Sequence, residues 1–111
     1  MIEELRKHKI YIDDIIDRFE NENEYLKCVR IYLTDEFFDE LKELIRIGDF
    51  AIAIDALKGL YILALDLRLM DLYWLLVDIY EALVEEDYVG IDDKLEDILV
   101  ERQRLMEVFH V

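Results

Sequence analysis

Carboxylates dominate the reactive groups of this chain, with 28 Asp and Glu set against 13 Lys and Arg, two His and one Cys, for a formal net charge of -15. No serine is present and Thr34 is the sole threonine, so a Ser-His-Asp hydrolase is excluded by inventory. A Cys-His pair would have to join Cys28 to His8 or His110, and both histidines are expected on the surface. Glu107 and His110 have Glu-x-x-His spacing, but a di-iron bundle takes two such motifs and two further inward glutamates, and only one copy stands here. Glycine-rich phosphate loops are missing. Carboxylate pairs at glycosidase-like separation arise by chance in so acidic a chain and carry no weight without a cleft. No catalytic residue, metal site or cofactor follows from these groups. What remains is Asp55-Ala56-Leu57-Lys58-Gly59, a charge pair and a glycine inside an apolar stretch, preceded by Gly48-Asp49.

The elements that must position that pentapeptide are helical. Apolar residues recur at i, i+3, i+4, i+7 throughout, and β-type alternation is hard to find. Short helices are expected over residues 2–8 and 13–19, the second opened by Asp13 and Asp14. Asn21 or Asn23 then caps a helix carrying Tyr25, Leu26, Val29, Tyr32 and Leu33 on one face. Thr34 or Asp35 caps the next, whose buried stripe reads Phe37, Phe38, Leu41, Leu44 and Ile45. Gly48 closes it and Asp49 opens another helix at once. In that helix, about residues 50–66, steps of 100° place Ala53, Ala56, Leu57, Leu60, Leu63, Ala64 and Leu67 inward, and Ala51, Asp55, Lys58, Ile62 and Asp66 outward. A helix over 69–84 turns Leu69, Leu72, Leu76, Ile79 and Leu83 inward; its aromatics Tyr73, Trp74 and Tyr80 belong to core or flank rather than to a ligand cage. After a turn at 85–90, Asp92 or Asp93 begins a last helix with Leu95, Ile98, Leu99, Arg102, Leu105 and Met106. Loops this short make successive helices antiparallel, which predicts an all-α, up-and-down four-helix bundle with extra N-terminal helices.

Composition fits one domain over 1–111: no proline, three glycines and 55% hydrophobic residues suit a core that buries roughly 65% of the unfolded surface. An acidic chain with scattered bases repels phosphate backbones and anionic lipid, so neither nucleic acid nor membrane is an expected partner. Its apolar runs, 59–65 and 72–77, are far shorter than the roughly 18 residues of a membrane helix. With no signal-peptide pattern and a single cysteine, the reading is a reducing cytoplasm, and Cys28 is expected as a buried, inert thiol.

The pentapeptide resembles the His-x-x-Lys-Gly phosphoacceptor motif of histidine phosphotransfer (HPt) domains with the histidine replaced. Phe38-x-x-Leu41-Lys42-x-x-Ile45-x-x-Gly48-Asp49-Phe50 is similar to the helix, tight turn and following helix of that family, and Leu72-Tyr73 through Leu83 to its next helix. About half the chain shares this likeness strongly. The resemblance implies a cytoplasmic four-helix bundle that meets receiver domains or histidine kinases of a two-component phosphorelay. In the family the histidine stands exposed, the lysine steadies phosphate and the glycine admits the receiver.

Two registers compete for the acceptor position. Matching the pentapeptide puts Asp55 there, with Lys58 and Gly59 at the family lysine and glycine, but leaves Gly48-Asp49 about three residues too close. Matching Gly48-Asp49-Phe50 and Leu72-Tyr73 without gaps puts Lys58 there instead, with Tyr61 and Ile62 following. The gapless register is favoured, since a three-residue indel within a helix rotates its faces by about 60°. Neither holds a histidine. The implied function is that of a non-catalytic pseudo-HPt adaptor, not an enzyme, docking through Ala51, Asp55, Lys58, Gly59, Tyr61, Ile62 and Leu65. Alternatives are phosphotransfer through a substituted acceptor, or a helical interaction or assembly protein outside any phosphorelay. Partner identity, direction of regulation and oligomeric state are not encoded in these motifs.

Overall fold

The computed structural model describes residues 22–111. The helices expected over 2–8 and 13–19, the Asn21 cap and His8 lie outside the described residues. Within them every regular element is a helix: α1 (Glu22–Leu33), α2 (Phe37–Ile47), α3 (Phe50–Asp66), α4 (Met70–Val84) and α5 (Ile91–Val108). Asn23, the alternative cap, falls inside α1.

These five helices make four columns, because α1 and α2 run end to end along the same neighbours. The Tyr25 hydroxyl donates to the Leu67 carbonyl at 2.8 Å and the Tyr32 hydroxyl to the Leu60 carbonyl at 2.7 Å, so α1 descends as α3 ascends. Along α5, Arg30 Nε donates to the Phe109 carbonyl, Arg102 Nε to the Leu33 carbonyl, and Lys42, Ile45 and Arg46 share a cleft with Asp92, Leu95 and Leu99. The first column is therefore α1 plus α2, antiparallel to both α3 and α5. With α4 it closes an all-α four-helix bundle.

The column breaks at Thr34–Glu36 for local reasons. The Thr34 hydroxyl turns back to the Arg30 and Ile31 carbonyls (2.8 and 3.2 Å), which competes with helix continuation. Asp35 Oδ1 then accepts the Phe37 N–H at 2.8 Å and restarts the helix. The N-cap position of α2 is Glu36, which makes no side-chain cap bond; of the two residues expected there, Asp35 bonds the Phe37 N–H from one residue earlier and Thr34 closes α1.

Four helix ends share one closing geometry. Gly48, at φ 79°, lets the Asp49 N–H reach the Leu44 carbonyl at 2.9 Å while its own N–H meets Ile45. The same six-to-one bond recurs from Leu69 to Ala64, Asp87 to Ala82 and Val111 to Met106. There the left-handed residue is Arg68, Glu86 or His110, each at φ 58°. The turn into α5 is pinned to the start of α3 by Phe50 and Tyr88, stacked with centroids 4.7 Å apart.

Burial follows the expected stripes with three corrections. Phe38, Leu41 and Ile45 are buried on α2, but Phe37 is exposed, because Phe38 takes the inward position and Phe37 turns to the cleft it shares with Ile52 and Gly59. Leu63 is exposed as well, on the side of α3 nearest the first column. Cys28 is half-buried at the edge of the core rather than enclosed.

Candidate docking face on α3

A helix on the surface of a bundle ordinarily turns charge outward. α3 does so sparsely: of its 17 residues only Asp55, Lys58 and Asp66 are charged, all exposed, and the same outer face exposes Ile52 (54%), Ile62 (46%), Leu63 (45%) and Leu65. Leu57, Leu60, Ala53 and Ala64 fill the core side. So apolar a helix, hydrophobic nearly all round, is the pattern of one that is covered on both sides.

Ala51, Asp55, Lys58, Gly59, Ile62 and Leu65 all lie on this exposed face. Tyr61 does not stand free with them: it is half-buried, edge-on to Tyr73 (centroids 6.0 Å) and Tyr80 (5.2 Å) of α4. No ion pair joins Asp55 to Lys58. Both side chains are exposed. Among the described residues no group of three or more His, Cys, Asp or Glu side chains converges on a metal position.

Gly59 lies inside α3, where glycine weakens a helix by roughly 0.5–1 kcal/mol relative to alanine. A Cβ placed on it meets nothing within 4 Å. Nothing among the described residues demands this glycine, and its absent side chain leaves open space above α3.

The concavity beside Gly59 is on the first-column side. Asp35, Phe37, Ile52, Asp55, Ala56, Gly59, Leu60 and Leu63 line a cleft of about 340 Å³. It is continued by a second, of about 290 Å³, between Cys28, Ile31 and Leu63. Sequence reasoning placed Leu63 and Phe37 in the core and extended the face toward Tyr61 instead. Local pattern holds no signal for either residue: Tyr25-Leu26 and Tyr32-Leu33 are apolar doublets with both members buried, whereas Ile62 and Leu63 are both exposed. Lys58 does not line the cleft, whereas Asp55 and Gly59 do.

Comparisons of the chain with models of protein families, with curated proteins and with solved structures find no match. The HPt resemblance thus rests on the residues quoted for it, and the architecture shows an all-α four-helix bundle. No helix among the described residues is long and apolar enough to cross a membrane.

Proposed function

We propose that this chain is a non-catalytic adaptor of HPt type, which docks a receiver domain or a histidine kinase through the outer face of α3 and modulates a relay by occupancy. The observation that carries this reading is Gly59: a helix-interior glycine with open space above it, on a face where Ile52, Ile62 and Leu63 are exposed. An apolar-rimmed surface with isolated charges suits protein docking. The chemistry at the acceptor position supports adaptor over carrier. Neutral imidazole attacks an acyl phosphate readily; a carboxylate usually needs a divalent cation to accept phosphoryl, and an ammonium group is not nucleophilic.

Titration calorimetry with purified receiver domains tests the reading. Binding by the wild type, weakened at least tenfold by Ile62→Asp or Leu63→Asp with helicity unchanged, is the expected result, because each change puts a charge where apolar area is buried. Binding that ignores both substitutions would remove α3 as the interface. Failure to bind any receiver or kinase would leave a helical interaction protein outside phosphorelay.

A further inference from the structure

On the opposite flank, Asp71, Trp74, Leu75 and Asp78 recur at i, i+3, i+4, i+7 on α4, facing Asp97, Val100 and Glu101 on α5. Together they line a groove of about 610 Å³. It is shallow and its apolar residues stand open to solvent: Trp74 is 60% exposed and Val100 59%. An exposed indole is uncommon on a free surface and frequent at the centre of protein interfaces. The ring is held in place, edge-on to Tyr73 with centroids 4.9 Å apart.

The rim is acidic. Lys94 Nζ pairs with Asp78 at 2.7 Å and Arg104 pairs with Glu101, so the nearby bases are already engaged. Asp71 and Asp97, one on each lip, make no direct ion pair among the described residues, though Arg104 feels the charge of Asp71 and Lys94 that of Asp97.

We infer that the α4–α5 groove docks a cationic amphipathic helix of a partner protein, its apolar stripe against Trp74 and Val100 and its Arg or Lys side chains reaching Asp71 and Asp97. Charge selects this occupant. A second copy would bring the same carboxylates to the same groove, and the chain's formal charge of -15 opposes that pairing. Nucleic acid and anionic lipid are repelled for the same reason. Guanidinium groups gain twice here, from the carboxylates and from the indole face. A helix fits because the lining repeats at helical spacing along two antiparallel helices, as in helix-in-groove recognition. This surface is separate from α3 and does not depend on the reading given to it.

Trp74 is the only tryptophan in the chain, so intrinsic fluorescence reports on the groove itself. The probe is a synthetic amphipathic peptide with a leucine stripe and flanking arginines, titrated into the full chain. The free protein should emit as a solvent-exposed indole, and peptide should shift the emission to the blue. Asp71→Asn combined with Asp97→Asn should weaken binding at least tenfold, with the fold monitored by circular dichroism. Trp74→Ala should do likewise, followed by anisotropy of a labelled peptide. Four outcomes overturn the proposal: binding without an emission shift; binding unchanged in the double variant; equal binding of a peptide with the same arginines and an alanine stripe, which is net-charge attraction alone; or free-protein emission that is already blue or varies with protein concentration, which assigns the groove to this chain's own residues or to a second copy.

Discussion

Arg102 of α5 bonds to the last carbonyl of α1: its Nε donates to the Leu33 oxygen at 2.7 Å, and the same guanidinium reaches Asp39 Oδ1 at 3.1 Å and lies 4.9 Å above the Phe38 ring. One side chain thereby joins both halves of the broken first column. Its own exposure is 14%, so the contacts to Leu33 and Phe38 are largely shielded from water, whereas Asp39 is exposed and adds little.

Replacing Arg102 with Met should cost roughly 2–3 kcal/mol of stability, from a lost charge-assisted hydrogen bond and a lost ring contact. Arg102→Lys should recover only part, because an ammonium cannot fork between a carbonyl and a carboxylate while lying flat on a ring. Urea denaturation measures both. Full recovery by lysine would show that charge alone matters at the break.

Alkaline pH should unfold the protein through Tyr25 and Tyr32. Burial pushes both phenols well above their usual value of 10, and for Tyr32 the Asp35 carboxylate adds to the shift. The folded state then holds protons that the unfolded chain releases, so this stability is complete below about pH 10 and drains as pH rises beyond it. The slope is about 1.4 kcal/mol per pH unit for each phenol. Tyr32→Phe should lose roughly 1 kcal/mol at neutral pH with the hydroxyl bond, and show a shallower alkaline decline. Equal slopes in wild type and variant would sink the argument.

Glu86→Gly should stabilise the protein by about 1 kcal/mol, since a left-handed residue with a Cβ is strained where glycine is not. Arg68→Gly should gain less. The Arg68 guanidinium donates to the Leu65 carbonyl at 2.9 Å, a second bond on an acceptor that also takes the Arg68 backbone N–H, and glycine would lose it. Thermal unfolding ranks the two.

The bounds of α3, residues 50–66, are legible in the sequence, because Gly48-Asp49 punctuates the chain and the apolar period restarts immediately after it. Its outward residues Ala51, Asp55, Lys58 and Ile62 follow from the same period. The cleft beside them does not, since its other wall is Phe37 and Asp35, and only the packing of the first column decides on which side of α3 they stand. Likewise the Tyr25 and Tyr32 hydroxyls bond carbonyls 42 and 28 residues away, beyond the reach of local pattern. The break at 34–36 was visible as a cap; that the helices on either side form a single column was not.

The acceptor position yields the most specific expectation. Incubated with a phosphorylated receiver, the wild-type chain should gain no acid-labile, base-stable phosphate, as neither Asp55 nor Lys58 reacts as imidazole does. Asp55→His should gain some transfer: it restores the family pentapeptide, with Lys58 three and Gly59 four residues on, and places imidazole on the cleft that Gly59 also lines. Lys58→His should gain less. In that register the phosphate-steadying position is Tyr61, packed between Tyr73 and Tyr80, and the glycine position is Ile62, whose bulk stands where the receiver must come close. Radiolabel transfer from receiver to chain distinguishes these cases. Efficient labelling of the unmodified protein on any residue would overturn the adaptor reading in favour of a substituted acceptor, and transfer by Lys58→His exceeding that of Asp55→His would assign the acceptor position to the gapless register.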